Sequence, residues 1–282
     1  MKRLLAISRA SGRAVSFLVF VISAILSQAI TLAFFKKART RRARAEWLQR
    51  IASRCAEILH LEVSSFGALP TSGLLVSNHL GYIDIILLAA MRPCLFVSKR
   101  EVGDWPIFGN CAWLAGTIFV DRTHRGDVSA VVQQMRAALD DGVLVVLFPE
   151  GTSSGGASVL PFRSSLLEPA HHLGCQVTAV AISYALDEGS VANEICYWRD
   201  MILVPHLLNL WCKPLIYSIL RCGVARLRHG DRKSLARELH DEVAALHAAS
   251  ARELAVRLPQ PAQQAFPFRR RRLPTAAKPQ RP

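Results

Sequence analysis

Residues Ala14 to Phe35 run for 22 positions without a charged side chain (AVSFLVFVISAILSQAITLAFF). About 20 apolar residues are enough to cross the hydrocarbon core of a bilayer, so a chain that opens this way must either hold the segment in lipid or lose it to processing. A secretory signal is the competing reading, because Ser27-Gln28-Ala29 offers small residues at a cleavage-like spacing. Signal h-regions, however, extend for only about 7–15 residues. Here the apolar run continues to Phe35 and is closed by Lys36, Lys37, Arg39, Arg41, Arg42 and Arg44, like a stop-transfer flank. The segment therefore reads as a retained anchor. Four basic residues precede it and eight follow by Arg54, which places the rest of the chain on the cytoplasmic side of the inner membrane by the positive-inside rule. Ser16, Ser23, Ser27, Gln28 and Thr31 make the stretch polar for a span, and a helix lying in the interface or a kinked hairpin entering one leaflet satisfies the same composition.

The formal charge of +14 is distributed unevenly. Met1 to Arg54 carries a net +11 and Leu258 to Pro282 a net +6, which leaves −3 for the middle. A nucleic-acid-binding domain carries its basic patch on the folded core, so nucleic acid is excluded as the expected partner. Polybasic ends suit an anionic lipid surface instead. The seven cysteines are odd in number, scattered, and contain no C-x-x-C pair, which argues against a disulfide framework and a zinc site. No metal is expected, and the thiols read as reduced and buried.

Between the charged ends, apolar runs alternate with amphipathic stretches. Leu74–Ser77, Leu95–Ser98, Thr117–Val120, Val143–Phe148 and Val177–Tyr184 read as strands. Ala43–Leu59, Asp84–Met91, Gly126–Asp140, Ser164–Leu173 and Arg232–Leu254 read as helices, the third with Val128, Val131, Val132, Met135 and Leu139 on one face. The continuous apolarity of VLVVLF suits a strand covered on both faces. This alternation predicts an α/β fold, a single domain with a largely parallel central sheet flanked by helices and preceded by the membrane helix. The expected boundaries are a basic N-terminus and anchor over 1–42, the α/β domain over 43–257, and a disordered Pro- and Arg-rich tail over 258–282.

Three blocks can carry chemistry. In Ser77-Asn78-His79-Leu80-Gly81-Tyr82-Ile83-Asp84, His79 and Asp84 lie five apart, too far for good contact on one continuous helix. With the histidine in the turn before a helix and the aspartate in its first turns, the two can meet. A carboxylate that fixes the imidazole tautomer and stabilises the imidazolium is what a general base needs, although such a pair in isolation fits a purely structural role as well. The second block, Gly116 to Arg122, delivers Arg122 to the carboxyl end of a strand, where open α/β sheets collect ligands. An arginine there suits a phosphate or carboxylate, and a surface salt bridge is the plain alternative. In the third, Phe148-Pro149-Glu150-Gly151-Thr152, the proline and glycine force a turn that presents Glu150 at the same sheet edge as His79, and Pro161-Phe162-Arg163 brings a further cation within reach.

Together the three blocks resemble the glycerolipid acyltransferase family, the lysophosphatidic-acid-acyltransferase-like enzymes. The His-x4-Asp block, the block ending in Arg122 and the Phe-Pro-Glu-Gly-Thr block occur in the family's order, each at a strand end. Val177–Tyr184 falls where a fourth, apolar family block is expected, and Ala14–Phe35 matches the family's membrane-embedded N-terminal segment. The resemblance covers about Leu74 to Tyr184. It implies an O-acyltransferase of membrane lipid biosynthesis that moves a fatty acyl group directly from an acyl carrier protein or coenzyme A thioester to a lysolipid hydroxyl, with no bound cofactor. His79 would be the base and Asp84 its orienting partner. Asn78, Arg122, Glu150, Gly151, Thr152 and Arg163 would bind substrate, the last standing where the family often has a lysine. Backbone N–H groups near Gly151 are candidates to meet charge on the thioester oxygen. Many members that act on phosphatidic-acid precursors have arginine after Phe-Pro-Glu-Gly-Thr, where this chain has Ser153. Tyr197 to Met201, with Pro205-His206-Leu207, is similar to a segment of a bacterial branch that includes lyso-ornithine lipid acyltransferases. The acceptor is therefore open between lysophosphatidic acid and a lyso-ornithine lipid.

Two rivals remain. Gly151 to Gly155 fits the G-x-S-x-G pattern of a serine hydrolase with Ser153 as nucleophile, a motif that needs the strand to turn at once into a helix. Alternatively, the basic ends could serve a non-enzymatic lipid-binding protein. His171 and His172 read as helix residues and His124 as a loop residue, while His206, after a proline, is a candidate to assist the site.

Overall fold

The computed structural model describes residues 2–121 and 127–257. In chain order the elements are α1 (Lys2–Phe34), a 3-10 turn (Lys36–Arg39), α2 (Arg41–Leu59), β1 (Leu61–Phe66), β2 (Leu74–Ser77), α3 (Tyr82–Met91), β3 (Cys94–Lys99), a second 3-10 turn (Arg100–Asp104), α4 (Phe108–Ala115), β4 (Ile118–Val120), α5 (Asp127–Asp140), β5 (Leu144–Leu147), a third 3-10 turn (Ser164–Leu166), α6 (Glu168–Leu173), β6 (Gln176–Ala185), α7 (Val191–Glu194), α8 (Leu203–Cys212), β7 (Ile216–Cys222), β8 (Arg226–Leu227) and α9 (Arg232–Arg257). The strands form one sheet in the order β1-β7-β6-β2-β5-β3-β4, with β8 paired to β6. From β6 through β4 every pairing is parallel. β7 runs antiparallel to β6 and pairs in parallel with β1.

β2 and β5, in the middle, are buried at every residue. Successive side chains leave a strand on opposite faces, and the core divides accordingly. Leu75, Val146 and Ile182 join α2, α3 and α8 on one side, while Leu74, Val76, Val145, Leu147 and Ala179 join α5, α6 and α9 on the other. Because β2, β3, β4, β5 and β6 are parallel, their carboxyl ends share one edge, which is where the motif loops emerge.

The expected helix over Ser164–Leu173 is divided into a 3-10 turn and the short α6. Pro169 has no N–H to bond the carbonyl four residues earlier, so one continuous helix cannot form across it. β1, β7 and α8 are additions to the sequence reading.

α1 is a single helix and, over Ser8–Phe34, long and apolar enough to cross a membrane. It is nonetheless part of the domain. Ala10, Arg13, Phe17, Val21, Ala24 and Gln28 form a buried stripe at three- and four-residue spacing, and Phe17 and Val21 belong to the same core cluster as Leu75 and Ile182. The expected boundary at residue 42 therefore cuts through α2 and through a shared core. The tail expected over 258–282 lies outside the described residues.

Arg13 carries a specific load in this packing. It donates through Nη1 to the carbonyls of Trp211 (3.1 Å) and Lys213 and through Nη2 to that of Pro214, and Arg9 donates to that of Cys212 (2.8 Å). These carbonyls include the last of α8, which have no partner within their own helix, and a cation there also complements the helix dipole. Arg13→Met should destabilise the protein by about 1.5–3 kcal/mol, the usual worth of hydrogen bonds from a charged group. The effect should appear as a lowered thermal unfolding midpoint in detergent, and an unchanged midpoint would show that α8 does not depend on α1.

Candidate active site

β2 ends at Ser77, and the next seven residues build the site. The β2–β6 ladder closes at Ser77 and Val180. Asn78 prolongs it with its side chain: Nδ2 donates to the carbonyl of Ile182 (3.0 Å) and Oδ1 accepts from the Ile182 N–H (2.8 Å). The family resemblance implies a substrate contact for Asn78. Its amide is buried and both its functions are taken up by β6, so in this structure it is a strut beneath His79 rather than a substrate contact.

Gly81 follows at φ +152, where an added Cβ would meet the Tyr197 nitrogen at 2.8 Å. α3 starts immediately, with Asp84 in its first turn. The carboxylate of Asp84 is completely buried and fully partnered. Oδ2 accepts from the Leu80 N–H (2.6 Å) and the Gly81 N–H (3.0 Å) and lies 2.9 Å from His79 Nδ1, while Oδ1 accepts from the Tyr184 hydroxyl (2.7 Å). A carboxylate only accepts, so in the neutral ring Nδ1 bears the proton and Nε2 is the basic nitrogen. The imidazole side chain is 23% exposed against 0% for Asp84, so the base opens outward while its partner is sealed. Burial, with the adjacent Asp84 charge, holds the Tyr184 phenol well above its ordinary pKa and keeps it a donor.

The third block joins the first through several contacts. The His79 ring stacks on Phe148 with centroids 4.3 Å apart, and the Ser154 N–H donates to the His79 carbonyl (2.9 Å). Glu150 is buried: Oε1 accepts from the Leu160 N–H (3.3 Å), and Oε2 has no hydrogen-bond partner. Burial pushes its carboxyl up to about 8, against weaker pulls from the backbone N–H groups of Leu160 and His79. Gly151 adopts φ +71 and packs beneath Arg163, whose Nε would lie 3.2 Å from an added Cβ. Arg163, anchored by its N–H to the Pro149 carbonyl (2.9 Å), thus reaches the Glu150–Gly151 turn, and Thr152 is exposed beside it. The Gly151 N–H, a candidate oxyanion donor by sequence, points back to the Phe148 carbonyl (3.2 Å). Arg122 lies outside the described residues.

The hydrolase reading is not met. The Ser153 hydroxyl donates to the Tyr197 carbonyl (2.6 Å), and no helix follows the turn. His206 is likewise committed elsewhere. Its Nε2 faces the Cys196 carbonyl (3.0 Å) and must carry the proton, leaving Nδ1 to accept from the Tyr82 hydroxyl (2.7 Å). It supports the start of α3 and does not face a substrate. Among the described residues no cluster of three or more His, Cys, Asp or Glu side chains could hold a metal ion.

A half-open imidazole backed by a sealed carboxylate, at the carboxyl edge of a mostly parallel sheet, is the equipment of an enzyme that deprotonates a hydroxyl or water. Comparison with known proteins narrows that class. Residues 60–183 match the family described as Acyltransferase. The chain is 36% identical to the lyso-ornithine lipid O-acyltransferase of Brucella abortus over 61% of its own length and 70% of that protein's. It is 32% identical to the 1-acyl-sn-glycerol-3-phosphate acyltransferase of Neisseria gonorrhoeae over 46% and 54%. The crystal structure of the 1-acyl-sn-glycerophosphate acyltransferase PlsC from Thermotoga maritima shares the fold, with a TM-score of 0.65 at 19% identity, covering 91% of this chain and 99% of that one. The chain belongs to the acyltransferase family.

The raised Glu150 carboxyl has a consequence for stability. A carboxyl held above its unfolded value stabilises the fold fully below about pH 4.5, and that contribution is lost as pH rises through about 8. In chemical unfolding, wild type should therefore lose ground to Glu150→Gln across this window. At 1.36 kcal/mol per pH unit, the difference should grow by on the order of 2–4 kcal/mol. Parallel pH profiles for the two proteins would show that Glu150 ionises normally.

Proposed function

We propose that this acyltransferase carries a fatty acyl group from a thioester of acyl carrier protein or coenzyme A to the hydroxyl of a lysolipid, with His79 as the base. The observation that carries the reading is the complete burial and fourfold hydrogen bonding of Asp84 beside an imidazole that is open to the outside. Nε2 takes the hydroxyl proton as the acceptor oxygen bonds to the thioester carbonyl carbon. The tetrahedral intermediate collapses, the carbon–sulfur bond breaks, and the departing thiolate receives the proton from the imidazolium. The products are an ester and a free thiol. Asp84 holds the ring and stabilises its cationic form without taking the proton. Glu150 and Arg163, and Arg122 by its place in the sequence, serve the acceptor headgroup.

For the acceptor, a lyso-ornithine lipid is favoured over lysophosphatidic acid. A doubly charged phosphomonoester calls for several cations. This chain has Ser153 where a phosphate-directed arginine is common, and that serine is tied to the Tyr197 carbonyl. The Brucella relative, matched over 70% of its length, carries the same acceptor in its name. The excess of basic residues after α1 favours an inner-membrane enzyme facing the cytoplasm, where both donors are found.

The test is acyl transfer by the full chain in membranes, with both thioesters and both acceptors. Lyso-ornithine lipid should be the faster acceptor. His79→Ala should lose about 10²–10⁴-fold, whereas Ser153→Ala should keep most of the activity. Wild-type transfer by His79→Ala would overturn the mechanism, and a preference for lysophosphatidic acid would overturn the acceptor.

A further inference from the structure

α8 has two faces. The inner one buries His206, Leu210 and Trp211, and the outer one exposes Ile202 (71%) just before the helix and Val204 (63%), Pro205 and Leu208 (47%) on it. A soluble domain has no reason to set this many large apolar side chains along one short helix face. The neighbouring element identifies what covers them. α1 packs directly on α8, with Phe17 and Trp211 ring centroids 5.5 Å apart and Arg9 and Arg13 bonded to the α8 terminus. Opposite its buried stripe, α1 exposes Val15, Leu18, Val19, Ile22, Leu26 and Ile30.

Three hydroxyls in the second half of α1 are prepared for a medium without water. Ser23 donates to the Phe20 carbonyl, Ser27 to that of Ala24 and Thr31 to that of Ser27. Just beyond α1, the exposed Lys36, Lys37, Arg39, Arg41 and Arg42 suit anionic headgroups. We propose that the outer face of α8 enters the same lipid leaflet as the outer face of α1, so that the bilayer is its partner and the two helices form one membrane-seating surface.

This surface is coupled to the site. The residues leading into α8 pack on both motif loops: Tyr197 lies against Gly81, Trp198 against Gly155, and the Tyr197 N–H donates to the Leu80 carbonyl (2.8 Å). From its inner face α8 sends His206 to the Tyr82 hydroxyl at the start of α3, two residues before Asp84. Seating α8 in lipid therefore sets the height of His79 above the membrane.

Lipid contact is measured directly with Leu208→Trp in phosphatidylglycerol–phosphatidylcholine vesicles carrying brominated acyl chains, with His171→Trp, on an exposed helix across the sheet, as the control. The added emission of Leu208→Trp should be quenched and that of His171→Trp should not. Equal quenching of the two overturns the proposal, whatever reaction the enzyme catalyses. The double variant Val204→Glu/Leu208→Glu should lose about tenfold or more in transfer to vesicle-borne acceptor, given the burial worth of two aliphatic side chains. It should stay within about twofold of wild type on acceptor dispersed in detergent micelles, as expected for surface substitutions. An equal fall in both assays assigns α8 a role in the fold alone and overturns the proposal, as does an unchanged rate on vesicles.

Discussion

One buried carboxylate organises this molecule. Taking Asp84 out of water costs several kcal/mol unless its oxygens are fully hydrogen-bonded, and here four donors from two parts of the chain converge on it. The Leu80 and Gly81 N–H groups fix the turn after β2, the first turn of α3 contributes its favourable dipole, and Tyr184 reaches in from β6. With these in place, the only donor left for adjustment is the His79 ring, whose orientation follows. Gly81 is tied to the same demand, because the chain passes the Tyr197 backbone so closely that a side chain there would push the turn away from the carboxylate.

Glu150 shows what happens without such donors. It is buried like Asp84 and sits at the end of the adjacent strand, yet only weak pulls from the Leu160 and His79 N–H groups reach it, and Oε2 has no hydrogen-bond partner. Burial therefore holds Glu150 as a neutral acid up to about pH 8. Two carboxyls at one sheet edge thus play different parts, one fully partnered as an acceptor and one able to donate a proton in a hydrogen bond. The difference lies in the surrounding N–H groups and not in the residue type.

Much of this was legible in the sequence because the signals are local. The central strands are mostly apolar segments of four to ten residues, and Gly and Pro mark the turns after β2 and β5. The His79–Asp84 meeting follows from a histidine placed before a helix and an aspartate inside it. Other features depend on the tertiary arrangement. Tyr184 looks like one more apolar strand position until β6 sets its hydroxyl against Asp84. Asn78 looks like a polar group beside a catalytic histidine, and only the register of β2 on β6 shows its amide completing a ladder. β1 and β7 are amphipathic strands whose pairing joins residues about 155 apart in the chain, such as Leu61 and Ile216, and no local pattern announces that. α8 carries an apolar residue at most positions, so its sequence does not separate the face toward the core from the face left open.

The interleaving of α1 with the rest of the core has a practical corollary. A common route to a soluble form of an enzyme with one N-terminal apolar helix is to delete that helix. Here deletion would remove Phe17 and Val21 from among Ile58, Leu210 and Trp211, together with the arginines that finish α8. The remainder would expose an internal wall in place of the lost exposed one, and it would aggregate for want of a core. Purification of this protein consequently calls for a surfactant and the intact amino terminus.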